Sequence, residues 1–194
     1  MHRVTLFGRF QAAGGYQVQD ERSLVSRAQK GGEEAFAQLY EEYFNKIYRY
    51  IVIRIGDAME AEDITQQVFL KALQSIGSFK WRGIPFSAWL YRIAHNQVVD
   101  HLRKTKRRIT VPIDEVTVAV ESNPQQEVEQ KFDLQQLTAA IQRLTEAQRA
   151  VISLRFTSEL STAEVAKTLG KSQGAIKALQ HSAIVALRRV FAEG

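Results

Sequence analysis

Apolar residues recur at three- and four-residue steps along most of this chain, and this spacing constrains its fold more than any other feature. Side chains at such steps share one face of an α-helix, whereas a half-buried β-strand requires strict alternation. Only 3 of the 194 residues are Pro, so few positions interrupt a helix. The sequence therefore predicts an all-α protein. The apolar residues form three runs: Phe36, Leu39, Tyr40, Tyr43, Ile47, Ile51 and Ile55; Ile64, Val68, Phe69, Leu73 and Ile76; and Phe86, Leu90, Ile93, Ala94 and Val98.

Capping residues and glycines indicate where the helices begin and end. Ser23 is expected to cap a short helix over Leu24–Lys30, which a Gly-Gly pair ends. Gly56 is expected to end the helix that carries the first run, and Asp57 to cap the helix that follows. The next two helices are predicted from about Met59 to Ile76 and from about Phe86 to Lys104.

Helical spacing fades after residue 108 and returns near Val128, so the chain divides into two small helical domains. Residues 1–20 form an N-terminal tail with no assigned role. Residues 21–108 form the first domain, residues 109–126 a flexible linker, and residues 127–194 the second domain.

The net charge of +5 is unevenly distributed. Residues 77–108 carry eight Lys and Arg against Asp100 alone, and residues 109–136 carry six acids against Lys131 alone. The second domain is basic again. Two basic blocks separated by an acidic strip predict two sites where a polyanion such as DNA can bind. The run from Arg103 to Arg108 taken alone is equally consistent with a solvated helix end.

Several functional classes find no support in the sequence. The chain has no Cys, so disulfides and thiolate metal sites are excluded. No apolar stretch is long enough for a membrane span, and a cytoplasmic location without membrane insertion is expected. His95 and His101 are six residues apart, too far around one helix to pair as metal ligands, and no Gly-rich phosphate loop is present. The sequence therefore predicts neither an enzyme nor a cofactor.

The segment from Ser161 to Leu179 has the pattern of a helix-turn-helix. Ser161 and Glu164 form a capping box, as do Thr145 and Gln148 upstream. The small Ala166 allows close helix approach, and Gly170 suits a left-handed turn. An ordinary helical hairpin is the alternative, but the outward polar face favours DNA recognition. The residues expected to close the core are Val165, Leu169, Ile176 and Leu179, and those expected to face DNA are Lys171, Ser172, Gln173, Lys177, Gln180 and His181.

Aromatic and basic residues are interleaved between the second and third runs. Rings can stack on unpaired bases while cations bind the phosphates, which is the chemistry that single-stranded nucleic acid requires. A core-edge role for the tryptophans is the alternative. Asn96 and Arg103 on the same helix favour the nucleic-acid interpretation. The connector residues are Phe79, Lys80, Trp81 and Arg82, followed by Trp89 and Arg92.

The helix before this connector has a mixed polar face. A solvated surface is the simpler interpretation. An outward Leu70 favours a protein partner instead. The residues of this face are Glu62, Asp63, Gln66, Gln67, Leu70 and Lys71.

Together these segments resemble the extracytoplasmic-function (ECF) group of sigma-70 family sigma factors. AEDITQQVFLKAL and WLYRIAHNQVVDHLRK carry the resemblance most specifically, and it extends over about residues 22–192. It implies a sigma-2-like bundle over residues 21–108 and a sigma-4-like helix-turn-helix over residues 127–194. It further implies a subunit that binds core RNA polymerase, recognises promoter DNA and directs initiation.

The resemblance also assigns roles to the residues above. The Glu62–Lys71 face would dock on the clamp of the largest polymerase subunit, and the flap would be a second polymerase contact. The Lys80–Arg82 loop would capture a flipped base of the minus-ten element, and Lys171–His181 would recognise the minus-thirty-five element. The implied minus-ten set is Phe79, Lys80, Trp81, Arg82, Trp89, Arg92, Asn96, Arg103, Lys104 and Arg107.

The sequence departs from the family pattern in the recognition helix. Ser182 stands where relatives often have Arg, which removes one cation and leaves the minus-thirty-five preference open. The resemblance also implies an anti-sigma factor as a partner, although no residue identifies its binding surface. The competing hypothesis is a free-standing helix-turn-helix regulator whose N-terminal domain dimerises or senses a ligand. That hypothesis leaves the Trp81 loop and the Leu70 face unexplained.

Overall fold

A computed structural model describes residues 18–81, 83–108, 138–158 and 160–192; for residues 18–20 and 106–108 it describes the backbone alone. Within these residues every regular element is helical, which confirms the all-α fold. The predicted linker over 109–126 and most of the predicted tail lie outside the described residues. The helices are α1 (Val18–Gln29), α2 (Glu33–Ile55), α3 (Ala58–Ser75), a 3-10 turn (Ile76–Ser78), α4 (Phe86–Arg108), a helical segment over 138–142, α5 (Glu146–Phe156), α6 (Thr162–Leu169) and α7 (Gln173–Ala192).

The junction between α2 and α3 forms as the sequence predicts. Gly56 ends α2 in the left-handed conformation at φ 87°, and its N–H donates to the Val52 carbonyl oxygen at 2.8 Å. Asp57 then caps α3, accepting from the Glu60 N–H at 2.9 Å. The prediction for Ser23 was wrong: Ser23 lies inside α1, which already includes Val18. Ser is only mildly unfavourable inside a helix, so a possible cap residue does not force a helix to begin.

The first domain packs α1 to α4 around one core, which continues into the second domain through Leu154, Val165 and Ile176. Most of the predicted apolar residues are buried, including Leu39, Ile47 and Ile51 of α2 and Leu90 and Val98 of α4. Leu73 is an exception, because 51 % of its surface is exposed. Its four-residue step from Phe69 suggested burial, but the packed face of α3 continues through Ala72 and Ile76 instead.

The second domain is a small helical unit held by local caps. Thr145 and Gln148 form the predicted capping box at the start of α5, and Ser161 and Glu164 form the one at the start of α6. Gly170 ends α6 in the left-handed conformation at φ 62°. Val165 and Ile176 are fully buried, which confirms their predicted places in the core.

The two domains pack directly against each other. Ile53 of α2 is 4 % exposed and belongs to the same apolar cluster as Ile141, Leu144 and Ile152 of the second domain. The Gln142 side-chain amide donates to the Ile53 carbonyl oxygen at 2.8 Å. The end of α2 therefore completes the core of the second domain.

A buried polar chain lies next to this contact. The Arg54 side chain is fully buried; its Nη1 donates to the Tyr50 hydroxyl at 2.9 Å, and its Nη2 lies 3.8 Å from the Glu146 carboxylate. The Tyr50 hydroxyl is in turn 3.3 Å from His95 Nδ1. Burial, and to a smaller extent the positive charges of Arg54 and Lys171, lower the pKa of His95 to about 4. These contacts favour a neutral His95 imidazole, which can accept a hydrogen bond from the Tyr50 hydroxyl.

None of the described helices combines the length and the apolar character that a membrane span needs.

The lowered pKa of His95 predicts a specific loss of stability in acid. The unfolded chain takes up this proton near pH 6.5 and the folded chain only near pH 4, so stability is complete above pH 6.5 and falls as pH drops toward 4. Between pH 7.5 and 5 the contribution is about 2 kcal/mol. Urea unfolding should show that His95→Gln loses this part of the pH dependence, whereas His181→Gln, at an exposed site, keeps it. Equal pH dependence in wild type and His95→Gln would contradict the assignment.

Candidate nucleic-acid and polymerase interfaces

The connector between α3 and α4 is built around the Phe79 ring. Phe79 is 5 % exposed, and its centroid lies 5.0 Å from that of Trp81, 5.6 Å from Phe86 and 5.3 Å from Trp89. Phe79 is therefore a core residue beneath the two tryptophans, and its ring is not presented to a ligand. Trp81 and Trp89 are half-buried and keep part of their surface open.

The polar residues predicted to bind the minus-ten strand are mostly exposed. Lys80, Arg92 and Asn96 have open side chains, as do Arg103 and Lys104 toward the end of α4. Arg103 also pairs with Asp100 at 3.1 Å, one turn away on the same helix. Arg82 and the Arg107 side chain lie outside the described residues.

A cleft of about 100 Å³ lies between this connector and the second domain. Lys80, Trp89 and Arg92 line one side, and Lys167 and Thr168 of α6 form the opposite wall. Lys167 Nζ donates to the Gly83 carbonyl oxygen at 2.7 Å. Sequence reasoning missed this wall, because Gly83 and Lys167 are 84 positions apart and no local pattern connects them.

The outer face of α3 combines acidic, polar and apolar side chains. Every predicted member of this face is exposed: Glu62, Asp63, Gln66, Gln67, Leu70 and Lys71. Leu70 is 57 % exposed, and two apolar residues absent from the prediction, Met59 and Leu73, are 83 % and 51 % exposed. Steps of three and four residues bring Met59, Leu70 and Leu73 to one side of the helix. Such a row of exposed apolar side chains is typical of a protein-binding surface.

The predicted recognition helix presents an open polar face. Five of its six predicted residues are exposed: Lys171, Ser172, Gln173, Lys177 and His181. The Ser172 hydroxyl accepts from the Ala175 N–H at 3.2 Å and so caps α7 as predicted. Gln180 is half-buried, because Arg155 Nε of α5 donates to its side-chain oxygen at 3.4 Å.

Arg155 and Thr162 are additional candidates that the sequence analysis missed. Both border a shallow depression whose other lining includes Lys177, Gln180 and His181. Arg155 also donates to the Leu160 carbonyl oxygen, which holds its guanidinium beside the recognition helix. The available signal was a basic residue, Arg155, close to the capping box of Ser161 and Glu164. Whether its side chain faces α7 depends on how α5 packs against α7.

Ser182, the predicted departure from the family pattern, is hydrogen-bonded within the second domain. Its hydroxyl accepts from the Gln148 side-chain amide at 3.1 Å and donates to the Leu179 carbonyl oxygen at 3.1 Å. The residue is exposed. It therefore connects the start of α5 to α7 and offers no cation.

Comparison with known proteins identifies the family. The model of sigma-70 region 2 matches residues 39–108, and that of sigma-70 region 4 matches residues 140–189. The ECF RNA polymerase sigma factor SigL of Mycobacterium tuberculosis is 31 % identical over 169 residues, which cover 87 % of this chain and 96 % of SigL. The chain belongs to the ECF sigma factors. The two matched regions fall within the two helical domains described above.

A second ECF sigma factor, BldN of Streptomyces coelicolor, is 42 % identical over 170 residues. That alignment covers 87 % of this chain and 64 % of BldN, so the chain spans slightly less than two thirds of the length of BldN.

Solved structures show the same fold. CnrH, solved in complex with the cytosolic domain of CnrY, matches with a TM-score of 0.70 at 21 % identity, over 90 % of this ECF sigma factor and 98 % of CnrH. RpoE of Bartonella quintana, solved in complex with the anti-sigma factor NepR, matches with a TM-score of 0.68 at 24 % identity, over 81 % and 96 % of the two chains.

The turn of the helix-turn-helix predicts opposite effects at two glycines. At Gly170 an added Cβ meets nothing within 4 Å, so the backbone conformation alone should make Gly170→Ala less stable by about 1 kcal/mol. Gly174 is helical and its nearest neighbour is 3.9 Å away, so Gly174→Ala should add about 0.5 kcal/mol. Urea unfolding measures both changes. If Gly170→Ala stabilised the protein, residue 170 would not have the left-handed backbone conformation described here.

Proposed function

We propose that this chain is a promoter-specificity subunit that binds core RNA polymerase, recognises minus-ten and minus-thirty-five elements and directs initiation. The observation that carries the proposal is the exposed apolar row of α3, Met59, Leu70 and Leu73, on a chain that also has an open helix-turn-helix face. The first surface suits a protein partner and the second suits duplex DNA. A free-standing regulator needs only the second. The subunit acts by binding in the cytoplasm, without a cofactor or a catalytic residue of its own.

The α3 face is the proposed polymerase-docking surface. Exposed Leu70 and Leu73 supply apolar area, while Glu62 and Asp63 add negative charge beside it. Apolar contacts provide affinity, and the surrounding charges orient the partner and raise the association rate. The clamp of the largest polymerase subunit is the proposed partner, and the polymerase flap is a second proposed contact.

The Trp81 connector is the proposed site of strand capture. Trp81 and Trp89 offer partly open rings above the buried Phe79, and Lys80 and Arg92 place cations beside them. An extruded base can stack on such a ring while its phosphates meet the cations. Asn96, Arg103 and Lys104 extend the polar surface along α4 toward the rest of the strand.

The exposed face of α7 is the proposed minus-thirty-five reader. Lys171, Gln173 and Lys177 can bond base edges and phosphates in the major groove. Because much of the affinity comes from phosphate contacts, promoter binding should weaken steeply with salt. Ser182 adds no cation here, so Arg155 is the basic residue beside α7 that we propose contacts the DNA backbone.

We further propose that an anti-sigma factor binds this chain. Two proteins of the same fold were solved with partners, CnrH with the cytosolic domain of CnrY and RpoE with the anti-sigma factor NepR. The likeness supports a partner of this kind.

Two substitutions should separate polymerase docking from strand capture. Leu70→Glu introduces a charge into the exposed apolar row and should weaken binding to core polymerase at least tenfold, the effect of losing about 1.4 kcal/mol. Trp81→Ala should leave that affinity unchanged and slow promoter opening. Fluorescence titration of core enzyme and permanganate reactivity of unpaired thymines provide the two measurements. Asn45→Glu, at an exposed site on α2, is the charge control. If wild type does not bind core polymerase, the proposed function is wrong.

A further inference from the structure

At its described positions the strand-capture connector has few hydrogen bonds of its own. Beyond the 3-10 turn Ile76–Ser78, the chain from Phe79 to Pro85 forms no regular element at its described positions. Within the turn, the Phe79 N–H donates to the Ile76 carbonyl oxygen at 3.0 Å, and the Ser78 hydroxyl donates to the Ser75 carbonyl oxygen at 2.7 Å. The position of Trp81 therefore depends on contacts from elsewhere.

Gln29, the last residue of α1, supplies such a contact. Its side-chain Nε2 donates to the Ile76 carbonyl oxygen at 3.0 Å and to the Phe79 carbonyl oxygen at 2.8 Å. An amide NH2 group has two hydrogens, and these two hydrogen bonds use both of them on a single turn of the connector. Gln29 is half-buried, and the accepting carbonyls would lose a partner if the amide were removed.

The helix that carries Gln29 is itself firmly packed. Leu24, Val25 and Ala28 are buried in the core, and Glu21 accepts a hydrogen bond from the Tyr43 hydroxyl of α2. A side chain that extends from this helix therefore holds the connector against a fixed element.

Arg22 gives α1 a second contact with the connector. Its guanidinium carbon lies 5.2 Å from the centroid of the Trp81 ring, within the range of a cation–π interaction. Arg22 and Gln29 are seven residues apart, about two helical turns, and so lie on the same side of α1. One face of α1 thus contacts the connector at two places: Gln29 binds the turn that precedes Trp81, and Arg22 contacts the Trp81 ring.

We propose that Gln29 is a positioning residue for strand capture: it holds the Ile76–Phe79 turn so that Trp81 and Trp89 are oriented to receive the minus-ten base. It acts through the connector and does not touch DNA. This inference rests on the proposed function for its promoter step, but the effect on the connector can be measured without DNA.

The chain contains only two tryptophans, Trp81 and Trp89, and both belong to the strand-capture site. In a Trp89→Phe background, acrylamide quenching of fluorescence therefore reports the exposure of Trp81 alone. Gln29→Met keeps the side-chain length and removes both donors. Gln29→Lys keeps a donor, and Gln38→Met makes the matched change at an exposed site on α2.

Gln29→Met should raise the quenching constant of Trp81 about twofold, and Gln38→Met should leave it unchanged. On a promoter that the wild-type holoenzyme opens, with native Trp89, Gln29→Met should slow opening roughly tenfold, a size consistent with losing two hydrogen bonds. Its affinity for core polymerase should not change. Gln29→Lys should recover most of both effects, and it also serves as the folded reference if Gln29→Met proves unstable in thermal unfolding.

Three results would overturn the proposal. Unchanged quenching in Gln29→Met would show that the amide does not hold the connector, whatever the chain does with promoters. Increased quenching of Trp81 with a normal rate of promoter opening would show that strand capture does not depend on the connector position that Gln29 maintains. If the wild-type holoenzyme opens no promoter, the proposed function itself has failed, and the role of Gln29 in capture fails with it.

Discussion

The insertion of Ile53 into the core of the second domain connects the two halves of this protein. Ile53 is the point of α2 where apolar packing passes from the four-helix bundle to the helix-turn-helix, and its carbonyl oxygen accepts from Gln142. The next residue, Arg54, is fully buried, and Arg149 Nη1 of α5 donates to its carbonyl oxygen at 3.3 Å. Isolated buried charges are costly, so the hydrogen bond with Tyr50 and the ion pair with Glu146 are needed to hold Arg54 there. The relative placement of the domains depends on this apolar contact, on the polar chain beside it, and on the continuous core in which Leu154, Val165 and Ile176 pack with the helices of the first domain.

This packing has a consequence for the strand-capture site. The same association that buries Ile53 brings Lys167 and Thr168 of α6 to one wall of the cleft beside Trp89 and Arg92. The polymerase-docking face of α3 and most of the α7 recognition face remain exposed. The protein thus keeps two of its three proposed surfaces open while the third lies at the boundary between the domains.

Sequence alone predicted the features that depend on neighbouring residues. Both capping boxes, the left-handed Gly170 and the Asp57 cap follow from side chains within about four residues of the backbone they serve, and the structure has all of them. Features that depend on distant packing were missed. Phe79 was expected to stack on bases but is buried, and Leu73 was expected to be buried but is exposed. Neither Gln29 nor Ile53 was identified, because their partners lie 47 to 89 residues away and leave no periodic signal.

As a promoter-specificity subunit, this chain should direct core polymerase to its own set of promoters. Run-off transcription with purified core enzyme, this chain and fragmented DNA of its host, followed by sequencing of transcript ends, tests this role most directly. We expect a discrete set of start sites absent with core enzyme alone, each preceded by two conserved blocks at constant spacing near positions −10 and −35. An identical set of transcripts with and without the chain would contradict this role.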